Sequence, residues 1–178
     1  MSSQIEDLMD KAVQHALKIG ANFAEVKGEN TITQNIEVVD KETRTVSQIH
    51  NIGIGVRAFL GKANGFSFVN ILDESNVFRA AEIAVKIAAA SSRRTLMKMN
   101  LVQVSPRTEK KSTSVNKHPK DISLEEKKDM CMRQCVTAAK TGKQIVNARS
   151  IFGEYHGTIY YANSEGCLLY TSPSPRDR

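Results

Sequence analysis

The chain has 178 residues, 40% of them apolar, with 25 Lys and Arg against 19 Asp and Glu and a net charge of +6. That is enough chain for one domain and part of another. No apolar run reaches the ~18–20 residues that a membrane-spanning helix needs, so no membrane partner is expected.

The first predicted element is a helix. Ser3 and Glu6 fit a capping box, and Ile5, Leu8, Met9, Ala12, Val13, Ala16 and Leu17 form one apolar stripe ending near Gly20. Residues 23–27 and 32–38 read as short strands, residues 40–42 as a turn, and residues 43–49 as a third strand. Then Ile52, Ile54, Val56, Ala58 and Leu60 alternate with Gly53, Gly55, Arg57 and Phe59, the two-residue period of a half-buried strand. Gly61 and Asn64-Gly65 offer the hairpin loop, and a fifth strand is expected over 65–71. A second helix follows, capped by Asp73 or Ser75, with Val77, Ala80, Ala81, Ala84, Ile87 and Ala88 inward; so many alanines imply close packing on a sheet.

Residues 92–122 are rich in Ser, Thr, Lys, Asn and Pro, with Leu101, Val102 and Val104 offering one short strand. A second capping box, Ser123 and Glu126, opens a helix to about Thr141 whose inward face carries Leu124, Cys131, Cys135, Ala138 and Ala139. Strands over 145–151 and 158–162 and a turn at Asn163-Ser164-Glu165-Gly166 complete the pattern. The expected fold is α+β: amphipathic helices on a mostly antiparallel, meandering sheet (1–91), a basic linker (92–122), then the start of a second α+β region (123–166).

Residues 167–178 do not read as native protein. Cys-Leu-Leu-Tyr-Thr-Ser-Pro-Ser-Pro-Arg-Asp reads like the translation of a transposase sequencing adaptor over eleven consecutive residues, the alternative being a genuine Pro/Ser-rich tail. The natural chain is therefore expected to continue past Gly166, and without Arg176, Asp177 and Arg178 the net charge falls by one to +5. Cys131 and Cys135 are then the remaining cysteines. With no signal-peptide pattern and no glycosylation sequon, they point to a reduced, cytoplasmic compartment.

Few residues suggest chemistry. Gly53-x-Gly55-x-x-Ala58, with Asp73 downstream, formally fits a dinucleotide fingerprint, but that motif must open a helix and here strand alternation continues. Cys131 and Cys135 lie one helical turn apart without further ligands at zinc spacing, and fit a buried helix face. His15 lies beside the first helix's stripe, His50 at a strand junction, His118 in the linker, and His156 in a hairpin turn at 154–157. No two histidines stand four apart. Arg57, alone among apolar residues and glycines, fits a structural ion pair or a snorkelling strand residue. No catalytic or metal residue is assigned, and any substrate-binding residues stay unknown.

The order of these pieces carries a resemblance. An amphipathic helix running into Gly20-Ala21-Asn22-Phe23-Ala24-Glu25-Val26, strands ending in Gly53-Ile54-Gly55-Val56-Arg57-Ala58, the turn to Gly65-Phe66, the helix with Ala80, Ala81 and Ala84, and the turn at 163–166 resemble the N-terminal part of the TldD/PmbA family, the TldD/TldE metalloproteases once described as modulators of DNA gyrase. The resemblance covers residues 4–166. It implies a dimeric zinc metallopeptidase, homo- or heterodimeric, acting on unstructured peptides through a downstream H-E-x-x-x-H helix; the present chain, ending before that motif, is expected to be inactive and to hold no zinc. Two rivals stand beside this expectation: a non-catalytic partner subunit or peptide-binding module of the same family, and a nucleic-acid-binding protein using the basic linker. The last ranks lowest because no aromatic residue interleaves the basic run.

Overall fold

The computed structural model describes residues 2–92, 105–112 and 115–171. It contains α1 (Ser2–Lys18), β1 (Phe23–Val39), β2 (Glu42–Leu60), β3 (Ala63–Val69), α2 (Glu74–Ser92), β4 (Thr108–Lys111), a 3-10 turn (Pro119–Asp121), α3 (Leu124–Lys140), β5 (Arg149–Asn163) and β6 (Leu168–Thr171). The strands hydrogen-bond in the order β3-β2-β1-β5-β6-β4. β2–β3 and β5–β6 are antiparallel and β4–β6 is parallel, so the expected α+β class with a mostly antiparallel sheet holds. The described residues form two compact units, one from 2–30, 52–92, 105–112 and 158–171 and the other from 31–51 and 115–157. β1, β2 and β5 contribute residues to both.

In the first unit, α1 and α2 cover one face of the sheet. Ile5, Leu8, Met9, Ala12, Val13 and Ala16 of α1 are buried with Ala24 and Val26 of β1, Ile54, Val56 and Ala58 of β2, and Val77, Ala80, Ala81 and Ala84 of α2. α1 starts at Ser2, so Ser3 lies inside its first turn and not at the cap. It closes as expected at Gly20 (φ 109), with Ala21 N–H donating to Ala16 O and Gly20 N–H to Leu17 O, the paired bonds of a Schellman motif. Asp73 caps α2, its Oδ1 accepting from Asn76 N–H at 2.8 Å. Val85 is buried in this helix and Ile87, expected inward, is exposed.

The β2–β3 hairpin pairs Leu60 with Ala63, so its loop is Gly61-Lys62; Asn64-Gly65 belongs to β3 and not to the turn. A side chain at Gly65 would run into Ala84 O, Ala88 N (2.6 Å) and Ile87 Cβ (2.8 Å). The absent Cβ is what lets the alanine face of α2 lie against β3. Residues 168–171, expected from the sequence to be adaptor-encoded, form β6, with Leu168 and Tyr170 packed against the first unit's core.

In the second unit α3 packs its Cys131 and Cys135 against Ile36, Val38 and Ala148, flanked by Met132 and Phe152. Its capping box is present as predicted: Ser123 Oγ accepts from Glu126 N–H and the Glu126 carboxylate from Ser123 N–H. The inward face differs from expectation. Leu124, Ala138 and Ala139 are exposed, and Lys127 is buried. The turn expected over 40–42 consists of Asp40 and Lys41, both at positive φ (48 and 70), as a two-residue hairpin of the primed kind requires, and Glu42 already begins β2.

Six predicted strands merge into three, those over 145–151 and 158–162 falling together in β5. Residues 23–27 and 32–38 are one strand, as are 43–49 and 52–60. β5 begins at Arg149, and 145–148 are not in a strand. Within the expected linker, 108–111 form β4, while the proposed strand at Leu101, Val102 and Val104 lies outside the described residues.

Candidate functional site

Two polar constellations stand out, one in each unit. On the helix-free face of the first unit, Glu25 of β1, Arg57 of β2 and Tyr161 of β5 meet. Arg57 Nη1 donates to Glu25 Oε1 at 2.8 Å and Tyr161 Oη donates to Glu25 Oε2 at 3.0 Å. Burial first, and then the bond to Glu25, push the Tyr161 phenol up to about 12, so it stays a neutral donor. Arg57 is 49% exposed, which makes this an open cross-strand tie and not a buried charge. Arg57 thus has the ion pair the sequence suggested.

The same face carries aromatic residues. Phe23 and Phe59 meet edge-on, with ring centroids 5.4 Å apart. Phe66 and Phe68 of β3 are 51% and 69% exposed. The Phe66 ring lies over Gly55, where a Cβ would come within 2.9 Å of it. Gly53, Gly55 and Ala58 therefore sit within a strand, not at a helix N-terminus, and the nucleotide fingerprint is excluded on geometry. Asp73 is a helix cap.

The second unit holds a buried ionic cluster that the sequence did not reveal. Lys127 of α3 is 4% exposed and Glu154 of β5 7%. Lys127 Nζ lies 2.8 Å from Glu154 Oε2, close enough for an ion pair although not aligned as a hydrogen bond, and donates to Gln34 Oε1 at 3.0 Å. Gln34 in turn donates to Gln48 Oε1 at 3.1 Å, and the ammonium lies 5.8 Å from the Phe152 ring centre. His156 Nδ1 is buried without a hydrogen bond, 3.7 Å from Glu154 Oε1. The His156 ring meets that of His118 edge-on at 5.2 Å, and His118 Nδ1 accepts from Lys120 N–H at 3.2 Å. Burial is the main cause holding the His156 pKa below its ordinary 6.5; Glu154 opposes it, and His118, Lys127 and Lys120 add to it.

The sequence places these residues differently. His156 is not in a hairpin turn but inside β5, followed by Gly157 at φ 150. His118 caps the 3-10 turn. His50 is exposed within β2 and at no junction, and His15 stacks on Phe78 at 4.3 Å and reaches Glu82 at 3.4 Å. Cys131 and Cys135 are core residues, as expected. Lys127 has one sequence signal: it stands four residues before Cys131 and eight before Cys135, on the same helix face.

None of this fits a metal centre. Among the described residues no three His, Cys, Asp or Glu side chains are grouped as metal ligands. Where two histidines and a carboxylate come nearest, the Lys127 ammonium already occupies the carboxylate and would repel a cation. Nor is any described helix long and apolar enough to cross a membrane.

Residues 24–88 match the model for PmbA/TldA metallopeptidase domain 1, and residues 117–172 the model for the PmbA/TldA metallopeptidase central domain. No curated protein sequence matches. Among solved structures, a proposed modulator of DNA gyrase from Bacteroides thetaiotaomicron superposes with a TM-score of 0.71 at 16% identity, covering 94% of this chain and 38% of its own. A second such protein, from Thermotoga maritima, gives 0.71 at 14% identity, covering 94% and 37%. TldE from Thermococcus kodakarensis gives 0.70 at 16%, covering 93% and 36%. The chain thus spans under two fifths of the length of these structures, and likeness at such identity speaks for the fold. The two family matches, in order and together covering most of the chain, carry the assignment: this chain belongs to the PmbA/TldD metallopeptidase family.

Proposed function

We propose that this chain is the N-terminal, non-catalytic part of a zinc metallopeptidase that acts on unstructured peptides. The observation that carries the reading is the tandem match of a first and a central metallopeptidase domain in one chain that spans under two fifths of the length of the solved structures it resembles. The metal ligands and the general base then belong to a further domain of the parent protein, which works as a dimer in a reduced, cytoplasmic compartment.

The part assigned to the first unit is to hold an extended substrate. Among the described residues β3 pairs with β2 alone, so its outer edge has free backbone donors and acceptors. An unfolded peptide adding there as a strand would be held by main-chain bonds, which suits an enzyme with little side-chain selectivity. Phe66 and Phe68 would offer apolar contact on the open face.

The test is cleavage of an unfolded protein such as reduced casein. The complete protein should cut it, lose activity to a chelator and regain it with zinc, whereas the 178-residue chain should neither cut it nor bind zinc. Cleavage by the chain alone would overturn the reading. A complete protein that binds no zinc and cuts nothing by itself would replace it with the partner-subunit alternative. The strand-addition part is checked separately by crosslinking an unfolded peptide to the complete protein; no crosslink to β3 removes it.

A further inference from the structure

We propose that His118 and His156 form an acid-opened latch that ties residues 115–122, ahead of α3, to β5. Two features of the geometry support it. His118 Nδ1 accepts the Lys120 N–H, so that nitrogen carries no proton and the ring is neutral; protonating it would replace the acceptor with a donor aimed at another donor. His156 Nδ1 is buried without a hydrogen bond, and its ring packs edge-on against His118 at 5.2 Å. The contact joins two neutral rings. Histidine changes charge between about pH 5 and 8, so mild acid can place two cations where two neutral rings now touch.

The charges around the pair set the direction. Lys127 of α3 and Lys120 of the 3-10 turn oppose a proton on His156, and Glu154 of β5 alone favours it. Glu154 is already held by Lys127 at 2.8 Å. A protonated His156 would turn toward Glu154 Oε1, 3.7 Å away, and compete with Lys127 for it. A protonated His118 would lose its bond to Lys120 N–H and face a like charge. The 3-10 turn retains little else: Asp121 N–H to His118 O at 2.9 Å and Ile122 N–H to Pro119 O at 3.2 Å. By contrast, the capping box of α3 has no histidine and should stay closed.

Hydrogen–deuterium exchange on the 178-residue chain at pH 7.5 and 5.5, corrected for intrinsic rates, tests this. Protection at Lys120, Asp121 and Ile122 should fall about tenfold, the scale of one pH unit of linked protonation, while Glu126 N–H keeps its protection. A double variant, His118→Asn with His156→Gln, keeps a capping acceptor and cannot titrate; its protection should change less than about twofold, since no linked proton remains. Equal protection at both pH values, an equal loss at Glu126, or the same loss in the variant would each overturn the latch. Ring-proton NMR of the unmodified chain gives an independent check if the variant does not fold: the contact between the His156 and His118 rings should be lost between pH 7.5 and 5.5, and a contact that persists at pH 5.5 would also overturn it.

Discussion

Replacing Gly65 by Ala is the sharpest test of how the first unit is held together. The added methyl would overlap Ala84 O and approach Ala88 N at 2.6 Å and Ile87 Cβ at 2.8 Å. These are mainly backbone atoms of α2 and cannot swing away as a side-chain tip could, so the helix must lift from β3. Overpacking of this kind costs about 3 kcal/mol. Alanine also restricts the unfolded chain, which offsets about 0.5–1 kcal/mol. The net loss of about 2 kcal/mol corresponds to a fall in Tm of about 4–8 °C for a chain of this size. Urea denaturation followed by circular dichroism measures it, with Gly142→Ala as the control. Nothing lies within 4 Å of a Cβ at Gly142, and its φ is not in the left-handed region, so that variant should be neutral or slightly stabilised. Gly65→Ala with the parent's stability would refute the close approach of α2 to β3.

Other substitutions separate buried from exposed charge. Lys127→Met leaves the Glu154 carboxylate buried without its cation and should cost about 3–5 kcal/mol in urea denaturation, with Lys127→Met/Glu154→Leu recovering most of it. Arg57→Ala breaks a half-exposed pair and should cost under about 1 kcal/mol by the same assay. The Tyr161 phenol, held at about 12, should ionise well above the ordinary 10.0 in an ultraviolet titration, and Glu25→Gln should lower it only in part because burial is the larger cause. The folded chain retains that proton where the unfolded chain loses it, so Tyr161's contribution to stability is present below pH 10 and fades as pH rises toward 12. His156 acts in the opposite range: the folded chain keeps it neutral where the unfolded chain binds a proton, so thermal stability should decline as pH falls below 6.5, and His156→Gln should flatten that decline.

Much of the fold was legible where one face is buried and the other is wet. The stripes of α1 and α2, the Ser123–Glu126 capping box, the alternation over 52–60 and the Asn163 turn all follow from local rules. In that turn Asn163 Oδ1 accepts from Glu165 and Cys167 N–H, both at 3.0 Å. Strand length was not legible. Nearly every side chain from Glu42 to Asn51 is exposed, so nothing in that stretch alternates even though it forms one strand with residues 52–60. Gly28 resembles a strand end, yet it lies inside β1, where Met9 and Ile5 of α1 leave no room for a Cβ. Gly157 likewise made 154–157 resemble a turn; its φ of 150 is absorbed inside β5.

The ionic cluster escaped for a different reason. A buried lysine resembles a solvated one until its partners are known, and Gln34 and Glu154 lie on other elements. The ion pair of Arg57 was one of two roles that the strand pattern allowed, and its partner Glu25 lies on the neighbouring β1, which the sequence could not name.

Sequencing the source locus beyond the codon for Gly166 tests the central claim most directly. The account predicts an in-frame continuation carrying an H-E-x-x-x-H helix, which would make the present chain the front part of a metallopeptidase. A native reading of Cys-Leu-Leu-Tyr-Thr-Ser followed by an early stop, or a long continuation without those histidines, would contradict it.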